Sequence, residues 1–317
     1  MKIVSTAKMN DRHQEALRSE FPHYTFEFFG NMAQAEEQVN QADILLTYGE
    51  DLTAEITGKM KSLKWIQVLS AGLDFMPFKE LEARDILVTN ARGIHKIPMA
   101  EYTMSVMLQV ARESNLLYEN QKEHKWDRTV RVSELYGKTI GIVGVGAIGE
   151  EIAKRAKAFG MRVVGVTRSG TPKEACHEMY RQADLVDILP LCDYVAVIVP
   201  LTEETRHLIG HKELAALKES AVLINIARGP VVDEEALARH LKERRIKAAV
   251  LDVFTEEPLP ESSVFWELDN CIVTPHLSGR SPLYMERALE IFRQNLQSLD
   301  KGKLNAMINR IDCSKGY

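Results

Sequence analysis

Short apolar runs alternate with amphipathic stretches from the first residues onward. KIVST, YTFEFF, ADILLTY, WIQVLS and ILVTN read as strands, and helical spacing near residues 11–20, 34–40 and 54–60 separates them. Apolar runs this short, with helices between them, predict a parallel sheet covered by helices.

From Pro98 the pattern changes to one long helical stretch, PMAEYTMSVMLQVARESNLLYENQ. It is apolar at Met99, Tyr102, Val106, Met107 and Val110, but also at Met104 and Leu108. So wide an apolar girth means burial on several sides, which suits a packed helix between domains and a subunit interface equally. A second alternating series follows: TIGIVG, a helix at 147–159, RVVGV, YVAVIV, AVLINIA, AAVLDV and CIVTP, with a helix at 233–244 among them. The last helix, near 283–299, carries Met285, Ala288, Leu289, Phe292 and Leu296 at helical spacing. The pattern alone gives two α/β units that meet near Pro98.

Composition narrows the class. A chain of 317 residues exceeds the usual single domain, which agrees with two units. Hydrophobic residues at 45% and charged residues at 27% describe an ordered globular protein. The net charge of -5 comes without a basic block, which argues against nucleic acid or an anionic membrane as partner. MKIVSTAKMNDR lacks the apolar core of a signal peptide, and no segment reaches the length of a spanning helix. Cys176, Cys192, Cys271 and Cys313 are scattered, with no metal-ligand spacing, so no metal is expected and reduced thiols in the cytoplasm are.

The first chemistry-bearing motif is GVGAIG, with Gly144, Gly146 and Gly149. Alone it is weak; here a strand precedes it, a helix follows, and a second strand ends at Val166. In such a unit the first glycine permits a tight turn, the second lets the backbone approach a pyrophosphate, and the third lets helix and strand pack closely. The helix N-terminus supplies amides and partial positive charge. A dinucleotide is the ligand this implies.

The second strand, MRVVGVTRSG, lacks the acid that usually takes the ribose hydroxyls of NAD. Thr167, Arg168 and Ser169 stand there, and no carboxylate occurs between Glu151 and Glu174. Nothing near the strand tip is then expected to repel a 2′-phosphate, and Arg168 is placed to pair with one. NADP is the expected cofactor, with NAD as the alternative.

Three further residues follow strands. Arg228 comes after AVLINIA, Glu257 shortly after AAVLDV, and His276 after CIVTP. In a parallel sheet all three share the carboxyl edge with the glycine loop, where open α/β sheets bind ligands. Hydride transfer to a ketone leaves charge on oxygen that needs a proton donor, and His titrates nearest neutrality. A carboxylate beside it favours the imidazolium, and Arg holds a substrate carboxylate by parallel hydrogen bonds. Taken singly, a loop ion, a solvated acid and a turn histidine explain them as well.

NIARGPVVDEEAL, LDVFTEEPLP and VTPHLSG, together with the glycine loop, PLTEETRHLIG and RALEIFRQNL, resemble the signature segments of the D-isomer-specific 2-hydroxyacid dehydrogenases. The resemblance covers almost the whole chain. It implies Arg228 as substrate binder, His276 as general acid in reduction, and Glu257 as its partner. It also implies that Asp252 contacts the nicotinamide carboxamide. Gly144, Gly146, Ala147, Ile148, Gly149, Thr167, Arg168, Ser169, Pro200, Thr205, Ala227, Arg228, His276 and Gly279 would line the cofactor. The backbone N–H groups of Ala71 and Gly72, in LSAGLDF, would hold the substrate carboxylate beside Arg228 and His276.

The family's fold revises the boundary: a Rossmann cofactor domain at 98–282 inserted into a flavodoxin-like substrate domain made of 1–97 and 283–317, both α/β and doubly wound. It also implies a homodimer formed through the region after Pro98. Family members acting on formate carry Gln where Glu257 stands, and many NAD-linked members carry Asp where Thr167 stands. The TRS segment is more similar to the NADP-linked glyoxylate and hydroxypyruvate reductases. Many relatives have His where Ile198 stands, a difference with no functional reading. The rivals are an NAD-linked lactate-type or branched-chain dehydrogenase and a dinucleotide-sensing binding protein on the same fold.

Other residues are assigned plain roles. His95 reads as a polar turn residue, and His124, His207 and His211 as solvated. Packing and ion pairing account for Trp126 and Arg128 as well as a substrate role does.

Overall fold

The strands gather into two all-parallel sheets in the computed structural model, which describes residues 1–73 and 75–314. Asp74, in the LSAGLDF segment, and residues 315–317 lie outside the described residues. The chain divides into an inserted unit, Lys96–Arg280, and a split unit formed by Met1–His95 with the chain from Ser281 onward.

The split unit has β1 (Lys2–Ser5), β2 (Thr25–Phe28), β3 (Ile44–Thr47), β4 (Trp65–Val68) and β5 (Leu87–Thr89), in the order β2-β1-β3-β4-β5. This is the flavodoxin-like order of a doubly wound sheet. Ile3, Ile44, Leu46 and Trp65 enter one core layer, while Val4, Leu45, Ile66 and Val68 enter the other. Burial on both faces is why these runs are continuously apolar. The helices are α1 (Asp11–Glu20), α2 (Glu36–Val39), α3 (Ala54–Lys59) and α4 (Phe78–Ala83). The side chain of Asn10 caps α1 by accepting the His13 N–H at 3.0 Å.

Chain-end residues return to this unit for a packing reason. In the C-terminal helix, Tyr284–Asp300, Ala288, Leu289, Phe292 and Leu296 fill the layer that holds Trp65, and the Phe292 ring stacks on the indole at 5.4 Å. Asn295 and Gln67, both fully buried, join a satisfied polar network: Asn295 Nδ2 donates to Gln67 Oε1 at 3.3 Å and Thr89 Oγ1 to the same oxygen at 2.8 Å.

The inserted unit holds α5 (Lys96–Ala111), α6 (Ser114–Lys122), β6 (Thr139–Val143), α7 (Ala147–Ala158), β7 (Arg162–Thr167) and β8 (Glu178–Arg181). It continues with α8 (Leu185–Ile188), β9 (Tyr194–Val197), α9 (His211–Ala216), β10 (Val222–Asn225), α10 (Glu234–Lys242), β11 (Ala248–Leu251) and β12 (Cys271–Val273); α11 is the C-terminal helix of the split unit. The sheet order is β12-β11-β10-β9-β6-β7-β8, the Rossmann order with one strand added at the end. Alternation divides the side chains cleanly: Val195, Val197, Leu223 and Leu251 lie in one layer, and Ile140, Ile142, Ile224 and Val250 in the other.

Two expectations change here. The stretch after Pro98 is two helices, because the chain turns at Glu113, which has a φ of 51°. The apolar girth of α5 is core packing within the inserted unit: Met99, Met104, Val106, Met107 and Val110 are buried in the layer that holds Ile152, Ala153 and Ala156 of α7. The strand β8 was not foreseen, since EMYR is short, half polar and only partly buried at the sheet edge.

Candidate active site

At the end of β6 the glycines behave as their spacing predicts. Gly144 has a φ of +107°, and a Cβ there would lie 2.6 Å from the Ile198 carbonyl oxygen. A Cβ on Gly149 would lie 2.4 Å from the Gly144 oxygen, so this helix residue packs directly on the loop. Around Gly146 the same construction meets nothing within 4 Å. Gly146 caps α7 with no side chain, leaving the first-turn amides facing an open approach. Ala147 is exposed and Ile148 half-buried beside it. These residues fit a pyrophosphate at a helix N-terminus.

At the tip of β7 the chain turns back at once: Thr167 Oγ1 accepts the Gly170 N–H at 3.1 Å, and the Ser169 and Thr171 hydroxyls meet at 2.7 Å. Two charged residues that sequence reading missed stand here. Arg181 ends β8 in register with Thr167, and its Cγ would lie 2.9 Å from a Cβ on Gly170. Glu204, from the loop after β9, places a carboxylate oxygen 3.9 Å from the Arg168 guanidinium. The expectation that no acid approaches this tip is therefore corrected, because the acid comes from a segment distant in sequence. Arg181 escaped notice together with its strand.

The Pro200–Thr205 loop is held internally. Thr205, buried, donates its hydroxyl to the Pro200 carbonyl at 2.6 Å and accepts the Thr202 N–H at 2.8 Å. Its hydroxyl thus shapes the loop that carries Glu204.

The structure brings Glu257 and His276 together. His276 Nδ1 lies 2.7 Å from Glu257 Oε2, while Glu257 Oε1 accepts the Phe254 N–H at 2.9 Å. Both side chains are partly open, at 50% and 36% exposure, which leaves the imidazole accessible to a reactant. Arg228, exposed, follows β10 and donates from Nη1 to the Ala227 carbonyl at 2.8 Å; Ala227 itself is buried. Gly229 next to it fixes the site in a way sequence reading overlooked. A Cβ there would fall 1.9 Å from the Phe254 carbonyl carbon and 2.1 Å from the Thr255 nitrogen. Only glycine lets the Arg228 turn lie against the segment that leads to Glu257.

Asp252, immediately after β11, is fully buried. Its carboxylate accepts the Thr274 hydroxyl at 2.6 Å and the Leu277 and Ser278 N–H groups at 3.0 and 2.9 Å. Gly279 follows directly, half-buried.

The remaining candidates belong elsewhere. Ala71 and Gly72 lie in the split unit on the loop after β4, where the Ala71 carbonyl accepts from Asn90 Nδ2 at 2.9 Å and that of Gly72 from Ser70 Oγ at 2.8 Å. The His95 ring in that unit lies 5.5 Å from the Tyr284 ring, so it is part of an aromatic group. Trp126 is 91% exposed, so packing within the described chain does not account for it, and the ion pairs found among the described residues do not include Arg128. The cysteines are free, Cys176 and Cys192 being buried. Among the described residues no helix is long and apolar enough to cross a membrane.

The chain is similar to known proteins. The profile of the D-isomer specific 2-hydroxyacid dehydrogenase, NAD binding domain, matches residues 104–278. A D-3-phosphoglycerate dehydrogenase of Methanocaldococcus jannaschii is 38% identical over 274 residues, 84% of this chain and 52% of that enzyme, so the chain spans about half that relative's length. A glyoxylate reductase of Korarchaeum cryptofilum is 34% identical over 277 residues, 84% of this chain and 82% of the relative. Among solved structures, a D-isomer specific 2-hydroxyacid dehydrogenase family protein of Aeromonas salmonicida matches with a TM-score of 0.86 at 31% identity, covering 98% and 99% of the two chains. The D-isomer specific 2-hydroxyacid dehydrogenase of Xanthobacter autotrophicus, in complex with NADPH and MES, matches at 0.80 with 27% identity, covering 100% and 99%.

Proposed function

The chain belongs to the D-isomer specific 2-hydroxyacid dehydrogenase family, and from that premise we propose that it reduces small 2-keto acids to D-2-hydroxy acids, with NADPH preferred. Glyoxylate and hydroxypyruvate are the first substrates in this reading, which agrees with the names of relatives such as the Korarchaeum enzyme. The observation that carries it is the His276–Glu257 pair at 2.7 Å, beyond the carboxyl ends of β11 and β12 on the same sheet edge as the glycine loop.

The dinucleotide, when bound, supplies the hydride for the carbonyl carbon. His276 gives the proton from Nε2 to the carbonyl oxygen as charge develops there. Glu257 holds the opposite ring nitrogen and fixes the ring, while the Phe254 N–H keeps the carboxylate from turning away. Arg228 takes the substrate carboxylate and polarises the carbonyl, and the amides of Ala71 and Gly72 belong to the same carboxylate-binding role.

NADPH preference rests on Arg168 and Arg181 at the tips of β7 and β8, and agrees with the NADPH-bound Xanthobacter relative. One observation favours the second reading, NADH: Glu204 already stands 3.9 Å from Arg168. Initial rates with both cofactors on glyoxylate, hydroxypyruvate, pyruvate and a branched 2-keto acid decide between them. The expected result is faster NADPH turnover on the small acids, with the preference lost in Arg168→Ala. Equal rates with NADH that the substitution does not alter would overturn the preference.

A second copy of this chain is the proposed partner of α6 and the segment after it, where Leu116, Leu117, Tyr118, Trp126 and Tyr136 are exposed at 47, 41, 58, 91 and 76%. Light scattering is expected to give a dimer mass, and a monomer mass at working concentration would remove this assignment. A cytoplasmic location belongs to the same reading.

A further inference from the structure

His276 is the one site residue here with a backbone that ordinary side chains avoid: its φ is 49°. Such a conformation is strained and persists only where the surroundings over-determine it. Asp252 does this by gripping three consecutive residues. Its carbonyl accepts the His276 N–H at 2.9 Å, Oδ1 the Leu277 N–H at 3.0 Å, and Oδ2 the Ser278 N–H at 2.9 Å.

No ion pair reaches Asp252 among the described residues, so its buried carboxylate is stabilised by hydrogen-bond donors. The third donor to the carboxylate is a side chain, that of Thr274, the residue after β12, whose hydroxyl lies 2.6 Å from Oδ1. A threonine hydroxyl has one proton, and the carboxylate takes it. The contact of 2.7 Å between Tyr102 Oη and Thr274 Oγ1 therefore runs from the tyrosine, which donates to the threonine oxygen. Burial raises the Tyr102 phenol to about 12, against a smaller downward pull from the Thr274 hydrogen bond and with a slight upward push from the Asp252 charge, so the phenol keeps its proton under ordinary conditions. Tyr102 sits in α5, a helix that otherwise contributes mainly core side chains.

We propose that Tyr102 and Thr274 are positioning residues: donating in series into Asp252, they fix the carboxylate that holds His276 in its left-handed backbone and aims its imidazole. The inference rests on the reading of His276 as proton donor. Without the Thr274 hydroxyl, Oδ1 loses a short bond and the carboxylate is free to rotate away from the Leu277 and Ser278 amides. The residue it restrains then relaxes toward ordinary φ. A misplacement of about 1 Å at a proton donor lowers turnover roughly 100-fold, whereas ground-state binding is spared.

The test uses the 317-residue chain with its dinucleotide and compares Thr274→Val, Thr274→Ser and Tyr102→Phe. Expected is a kcat about 30–100-fold lower in Thr274→Val, with the KM for the keto acid and the dinucleotide Kd within about 3-fold of wild type. Thr274→Ser, which restores the hydroxyl without the methyl, recovers most of the rate. Tyr102→Phe, one oxygen smaller, lowers kcat about 3–10-fold and serves where the valine variant folds poorly. Wild-type kcat in Thr274→Val, or equal impairment in the serine variant, overturns the proposal, the latter by assigning the effect to packing. Full turnover in His276→Gln would instead remove the premise, which separates failure of the reading from failure of the inference.

Discussion

The two ends of the inserted sheet's carboxyl edge are built on opposite plans. Beyond β11 and β12 the polar atoms are committed: both Glu257 oxygens, both Asp252 oxygens and the His276 amide have partners within 3.0 Å. The Gly229 backbone lies against Phe254 and Thr255 with no room for a methyl group. Beyond β7 and β8, two arginines and a glutamate stand in solvent, and the one ion pair among them spans 3.9 Å between side chains 84% and 71% exposed. The contrast suits the chemistry proposed for each end. Proton transfer fails with small errors of geometry, and the groups proposed for it are held by short hydrogen bonds. A phosphate is recognised by charge, which acts over several ångströms and tolerates a mobile side chain. One end resists substitution, and the other invites tuning.

The strongest way to break this comparison is to remove the proposed proton donor. His276→Gln keeps the size and one hydrogen-bonding nitrogen but cannot titrate. We expect a kcat reduced by about 10²–10⁴ with dinucleotide Kd and thermal midpoint near wild type, since general acid catalysis contributes at that scale and the side chain is half exposed. Stopped-flow turnover beside a calorimetric binding measurement checks both halves. A kcat within a few-fold of wild type would mean that the locked geometry serves the fold and that another group supplies the proton.

Much of the locked end was legible in the sequence. Arg228, Glu257 and His276 announce themselves by following apolar runs in a parallel series, because strand ends in such a sheet converge on one edge whatever the loops do. The glycine loop was legible for the same reason, its three positions each matching a distinct steric need. What stayed hidden depends on how loops fold back. The family resemblance gives Asp252 a nicotinamide contact, but only coordinates reveal that it binds three successive residues around His276. Gly229 gave a signal that went unused: a glycine directly after a candidate substrate arginine marks a close backbone approach. Arg181 and Glu204 gave none, since EMYR lacks an apolar alternation and Glu204 reaches Arg168 across 36 positions of chain.

The loose end predicts a small effect with a distinctive signature. Exposed ion pairs contribute little, because water and salt screen them and both side chains lose freedom in pairing. Glu204→Gln should therefore lower the KM for NADPH only about 2–4-fold, by freeing Arg168 for a 2′-phosphate and removing a repelling charge. The KM for NADH should hold, and the gain should vanish at about 0.5 M salt, where the screening length falls to a few ångströms. Steady-state rates for both cofactors across a salt series read this directly. Parallel shifts for NADPH and NADH, persisting in salt, would point to the loop: the Glu204 carbonyl accepts from Gln182 at 3.5 Å and Thr205 braces the same turn. In that case the β7 tip would be a shaped surface like the catalytic end, and the contrast between the two plans would fail.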